Sequence, residues 1–136
     1  MGLTKQKKMI QESQHQPIIA NLLKDYTFDS TVFKELGEPL IYHEGIKFLF
    51  WIENSKVLSF IGYSEKNRKC KLRYAYTHPD HRNKGHFSKL IEEMEEFTYC
   101  GTVEATATKS ALHIYLKRGY IVTKEFKNYA KIKKSL

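Results

Sequence analysis

The stretch from Leu72 to Phe97 constrains this chain more than any other part of it. Residues 72–77 carry aromatic and β-branched side chains, as a strand does. Pro79 halts that strand, because proline cannot donate to a ladder. From Phe87 onward the apolar residues fall at Phe87, Leu90, Ile91, Met94 and Phe97. This is the i, i+3, i+4, i+7 spacing of a helix with one buried face. A strand feeding a helix through a short turn demands a layered arrangement of sheet and helices.

The charges along this unit run against helix stability. Glu92, Glu93, Glu95 and Glu96 sit in the later turns, while Arg82, Lys84 and Lys89 surround the start. A helix complementing its own dipole would place acids first and bases last. Free N–H groups, a positive dipole end and extra cations are therefore gathered beside Gly85, where a ligand can approach the backbone. Such a helix start suits a phosphate-rich ligand. The plain alternative is a solvated charged surface with an ordinary turn glycine.

A length of 136 residues implies one domain, large enough for a single core. No apolar run approaches the roughly 18 residues that would span a bilayer, so no membrane partner is expected. Lys5, Lys7 and Lys8 precede no apolar run, which argues against a signal peptide. Cys70 and Cys100 are too few and too widely spaced for a disulfide framework or a thiolate zinc site. A reduced, cytoplasmic location is the expectation that follows. The formal charge of +8 permits nucleic acid, acidic partners or polyanionic ligands without choosing among them.

In chain order, residues 1–15 are polar and without period, and are expected to be a flexible arm. Residues 17–26 have helical spacing with Pro17 in the first turn. Asp29 or Ser30 caps a second short helix through Phe33 and Leu36, ended by Gly37. Strands are expected at 40–43, 46–52, 57–63 and 70–77, with a polar turn over 64–69. A crossover helix over 84–98 follows, then a strand at 102–107, a helix at 109–117, and strands near 120–124 and 126–133. Short loops between consecutive strands imply antiparallel pairing. The fold class is α/β (α+β), a mixed sheet with no dinucleotide-binding or Walker loop.

Two motifs carry a family resemblance. Residues 82–87, with Arg82, Gly85 and Phe87, resemble the Arg/Gln-x-x-Gly-x-Gly/Ala pyrophosphate loop of the GNAT acyltransferase superfamily. Residues 111–120, with Ala111, Tyr115, Gly119 and Tyr120, resemble its Ala-x-x-x-Tyr-x-x-x-Gly-aromatic signature. The resemblance covers the second half of the chain and implies a mostly antiparallel central sheet flanked by helices, in a single domain over 16–136. It also implies an acetyl-CoA-dependent N-acetyltransferase, with acetyl-CoA as co-substrate and a small amine or a protein lysine or N-terminus as acceptor. The basic charge also permits a nucleic-acid acceptor, or a non-catalytic module binding nucleic acid or an acidic partner. A monomer and a homodimer both fit.

The resemblance assigns roles residue by residue. The amides of Asn83, Lys84, Gly85, His86, Phe87 and Ser88, with the Arg82 side chain, would grip the pyrophosphate. Phe87 stands where the family carries Gly or Ala; its place on the apolar face directs it into the core and spares the amide. Ala75, Tyr76 and Thr77 would pair with the pantetheine arm as a strand does, where the family splays this strand from the next. Thr108 takes the place of a family Asn near the cofactor, or caps the following helix. Tyr115 aligns with the family's general acid, or is a core aromatic. Tyr74 occupies the place of a frequent strand carboxylate. A base is therefore sought in Glu104 or Glu44, or the amine sheds its proton to solvent. His78, His81 and His86 match no zinc spacing, so no metal is expected. His43 and His113 have no evident partners. Phe48, Phe50, Trp51 and Tyr76 either line an acceptor pocket or are plain core.

Overall fold

Two hairpin turns organise the front of the sheet. Asn54 and Ser55 have φ of 52° and 66°, and Asn67 and Arg68 have φ of 54° and 62°. Positive φ at both central residues is the turn whose twist matches paired strands. In the computed structural model, which describes residues 8–41 and 45–136, these turns join β2 (Ile46–Glu53), β3 (Lys56–Lys66) and β4 (Lys69–Thr77) as an antiparallel meander. The polar turn expected over 64–69 is thus only two residues long, because β3 continues to Lys66.

Among the described residues the sheet has seven strands in the order β1-β2-β3-β4-β5-β7-β6, with β1 at Lys8–Ser13, β5 at Thr102–Thr108, β6 at Ile121–Glu125 and β7 at Tyr129–Ser135. Every neighbouring pair is antiparallel except β4 and β5. That parallel pair is joined by helix α3 (His86–Phe97), as a parallel connection requires. The architecture is the mixed, mostly antiparallel α/β sheet expected from the sequence.

Several local expectations are corrected. Residues 8–13, assigned to a flexible arm, form β1 and pair with β2 from Lys8↔Glu53 to Ser13↔Phe48. Leu40 and Ile41 belong to no strand, and the rest of the strand expected at 40–43 lies outside the described residues. Helix α1 spans Gln16–Leu22 and stops four residues short of Tyr26. Helix α2 (Ser30–Leu36) agrees with its signals: the Asp29 carboxylate accepts from the Thr31 and Val32 amides, and Gly37 closes it at φ 77°. Helix α4 is only Leu112–Lys117, capped by Ala111, so Thr108 ends β5 and is not its cap. Strand β7 starts at Tyr129, leaving Phe126 outside the strand.

The sheet separates two cores. On one side Phe48, Phe50, Phe60, Tyr74 and Tyr76 pack under α1 and α2. On the other, Leu49, Ile61, Tyr63, Cys70 and Leu72 pack under α3 and α4. Leu90, Ile91 and Met94 of α3 are fully buried there, each worth about 1.5–3 kcal/mol. Phe97, the last member of the predicted apolar stripe, is half exposed instead.

Strand β4 changes sides within its own length. Gly62 pairs with Tyr74 and Tyr63 with Leu72, so Arg73 is one extra residue on β4. This bulge resets the alternation. Cys70 and Leu72 therefore face the α3 core, whereas Tyr74 and Tyr76 face the other one. Gly62 makes that second face possible. It lies in register between Phe48 and Tyr74, whose rings stack with centroids 6.1 Å apart. A Cβ on Gly62 would stand 2.8 Å from the Phe48 ring.

Candidate active site

Strands β4 and β5 pair only at Lys69↔Thr102, Cys70↔Val103 and Lys71↔Glu104. Beyond that they part, while β4 stays paired to β3 as far as Thr77. Among the described residues the second edge of Ala75–Thr77 has no strand partner. A cleft of about 610 Å³ opens beside it. Crevices beyond the carboxyl ends of parallel strands are where α/β sheets bind ligands, since loops and helix starts converge there.

The start of α3 forms one wall. Gly85 is its N-cap at φ 83°, preceded by Asn83 at φ 63°, and no side chain caps the helix. The first intrahelical donor to Gly85 is the amide of Lys89, with N···O 3.0 Å. The amides of His86, Phe87 and Ser88 precede it and are the donors that a helix leaves for a ligand. Two side chains of this turn point inward. The His86 ring lies 4.3 Å from the Trp51 ring, with Nε2 3.5 Å from Glu53 Oε2. Trp51 Nε1 donates to that same oxygen at 2.8 Å. Phe87 packs edge-on against Tyr115, centroids 5.5 Å apart. Anchoring both rings in the interior fixes the helix start and leaves its backbone to face the cleft.

Ala75, Tyr76, Thr77, Arg82, Asn83, Gly85, His86, Phe87, Ser88 and Thr108 all line this cleft. These are the residues the sequence singled out for a cofactor, save Lys84, which is not part of the lining. Arg82 is held at the rim by three contacts. Its Nε donates to Thr77 O at 2.8 Å, its Nη2 donates to Glu35 Oε2 at 2.6 Å, and its guanidinium lies over the Tyr76 ring at 5.4 Å. Burial of Tyr76, with Glu35 nearby, raises its phenol above the ordinary range.

The catalytic candidates fare differently. Tyr115 is buried, between Phe87 and Tyr120, whose ring centroid lies 5.4 Å away. It stands behind the cleft wall and is not part of the lining. Burial pushes its phenol far above the ordinary range. Glu104, the candidate base, lies away from the cleft lining. It sits at the paired end of the β4–β5 ladder, 3.7 Å from Lys69 Nζ, and four residues before Thr108, about 13 Å along the strand. Glu44 and His43 lie outside the described residues.

Of the aromatics weighed for an acceptor pocket, Phe48 and Phe50 are fully buried, Trp51 covers His86, and Tyr76 alone lines the cleft. The rings of His78 and His81 meet edge-on with centroids 5.6 Å apart, while His86 turns to Trp51. The loop histidines therefore do not converge. Among the described residues no group of three or more His, Cys, Asp or Glu is placed to hold a metal ion, and no helix is long and apolar enough to cross a membrane. Both cysteines are free and buried, and burial raises the Cys70 thiol to about 12.

The cleft also holds residues to which the sequence reading gave no place in a binding site. Ala111, Ile114 and Arg118, from α4 and its two caps, line it, with His113 and Lys117 beside them. Their i, i+3, i+7 spacing was a readable signal. Glu35, from α2, lines the cleft as well. Nothing in sequence links it to Arg82, 47 positions away.

Comparison with known proteins agrees with this geometry. No curated protein matches the chain. Among solved structures, an acetyltransferase from Thermus thermophilus is similar over 93% of this chain and 97% of its own, at 11% identity and a TM-score of 0.74. The PaiA N-acetyltransferase of Thermoplasma acidophilum, solved with coenzyme A, matches 94% of this chain and 99% of its own, at 13% identity and a TM-score of 0.66. The N-acetyltransferase PseH of Campylobacter jejuni, solved with acetyl coenzyme A, matches 95% and 99%, at 15% identity and a TM-score of 0.61. At such identities these likenesses speak for the fold. The family model of the acetyltransferase (GNAT) domain matches residues 45–122, more than half of the chain and the whole β2–β5 framework of the cleft. The chain belongs to the GNAT acetyltransferase family.

Proposed function

We propose that this chain transfers an acetyl group from acetyl-CoA directly to the nitrogen of an amine. The observation that carries this reading is the coincidence, in one cleft, of an uncapped helix start and an unpaired strand edge. A diphosphate needs converging N–H donors and positive charge, which the amides of 86–88 and the Arg82 fork supply. An amide-bearing arm needs backbone partners, which the free edge of Ala75–Thr77 supplies. Acetyl-CoA brings an activated thioester; the protein's part is to hold and orient it and to manage protons.

Tyr115 takes the role of proton donor to the leaving sulfur. The assignment rests on the match of residues 111–120 to the family signature and on the Tyr115 ring, which packs edge-on against Phe87, a residue of the cleft wall. With Glu104 outside the cleft, the acceptor's proton leaves to solvent through the open mouth.

The direct test is thermal stabilisation by acetyl-CoA in wild type and Gly85→Glu. Gly85 has φ 83°, so a side chain there is strained although space is available, and the added carboxylate would repel a diphosphate. Wild type should gain about 2.7 kcal/mol at a hundredfold excess over the dissociation constant, and the variant should gain almost nothing. A folded wild-type protein that shows no shift at millimolar acetyl-CoA would sink the transferase reading.

A further inference from the structure

Glu35 is the sole carboxylate lining the cleft among the described residues, against the cations Arg82, Lys117 and Arg118. Its position is not explained by the stability of α2. It stands in the last turn of that helix, where the dipole favours a cation and disfavours an acid. Its partner is the Arg82 fork, with Nη2 2.6 Å away, and both side chains are well exposed. Exposed ion pairs of this kind are weak and open readily. The same fork is the cation best placed to meet a diphosphate at the start of α3, and a phosphate group competes strongly for guanidinium.

From this geometry we infer that Glu35 recognises a cationic acceptor, a primary alkyl ammonium, and that its ion pair with Arg82 couples acceptor binding to cofactor binding. This rests on the transferase reading and names the acceptor class for it. In the free protein Glu35 and Arg82 neutralise each other. A diphosphate that takes Arg82 frees the carboxylate on the cleft wall, where an ammonium can replace the lost guanidinium. Linkage makes the effect reciprocal: an ammonium that takes Glu35 frees Arg82 for the diphosphate. A neutral arylamine gains nothing from this exchange. The acceptor is therefore bound better after the cofactor, and charge on the acceptor is selected.

The test uses calorimetry on the full chain, with CoA as the cofactor probe and cadaverine, an alkyl diammonium, as the acceptor probe. In wild type, cadaverine should bind the CoA-loaded protein about three- to fivefold more tightly than the free protein, the range one exposed ion pair supports. In Glu35→Gln that enhancement should vanish, and CoA alone should bind about two- to fivefold more tightly because its competitor for Arg82 is gone. Cadaverine that does not bind the CoA-loaded protein, or binds equally with and without CoA, overturns the inference. So does an enhancement that persists in Glu35→Gln. In each of these results CoA still binds and the transferase reading stands. CoA that fails to bind wild type brings down both.

Discussion

The two ends of the β4–α3–β5 unit are built on opposite terms. At the end where α3 finishes, β4 and β5 are paired and the charges are locked to one another. Glu95 accepts from Arg118 at 2.9 Å, from Tyr120 at 2.9 Å and from Lys134 at 3.1 Å. Glu65 accepts from Thr98 and pairs with Lys47, each at 2.6 Å. At the end where α3 begins, the strands have parted, the helix start lacks a side-chain cap, and an exposed ion pair stands at the rim. One end holds the sheet and helices together so that the other can leave backbone donors and a strand edge unused by the fold. Binding groups are kept available only where something else supplies the stability.

The comparison breaks most sharply at Tyr115. If the open end carries the chemistry, Tyr115→Phe should lower kcat for acetyl transfer by about 10²–10⁴-fold while acetyl-CoA affinity stays unchanged. Steady-state rates beside a binding isotherm decide this, and an unchanged kcat would return Tyr115 to the core.

At the closed end the effect should be on stability. Burial alone would raise the Glu95 carboxyl, but hydrogen bonds from Arg118, Lys134 and Tyr120 overcome it and hold the group below its ordinary range. A carboxylate lowered in the folded state stabilises fully above the unfolded value, about 4.3, and loses that contribution as pH falls toward the folded value. Glu95→Gln should therefore cost about 1.5–3 kcal/mol near neutral pH. The gap from wild type should narrow below about pH 4.3, as denaturant titrations across pH would show. A gap that widened in acid would refute the assignment.

The smallest expected effect belongs to Glu104. Paired with Lys69 at the closed end and well exposed, Glu104→Gln should change stability by less than about 1 kcal/mol and leave kcat near that of wild type. A large loss of turnover would place chemistry at the closed, paired end of the unit.

Much of this was legible in the sequence for local reasons. The apolar period of α3, the caps at Asp29 and Gly37, and the turn and cation pattern of 82–88 depend on neighbours within one or two turns. They therefore marked out that wall of the cleft almost completely. What the sequence left open depends on distant partners. Glu104 has suitable chemistry for a base, but its position along β5 relative to the point where β4 departs is a property of strand pairing. Glu35 carried no signal, because its partner is reached only when α2 packs across the end of β4. Residues 8–13 look like a polar arm because an edge strand has little apolar content to show.

By itself, then, the sequence determined which segments are strands and helices along most of the chain, the free start of α3, and the family to which the two motifs belong. The tertiary structure alone decided which way side chains face where the period is interrupted. A strict alternation would send Cys70, Leu72, Tyr74 and Tyr76 to one face of β4. The extra residue at Arg73 sends the last two to the other face, over Gly62 and against Phe48. That change brings Tyr76 beneath Arg82 at the rim of the cleft. A bulge costs one ladder position and is settled by the packing of two cores at once, so no local pattern announces it.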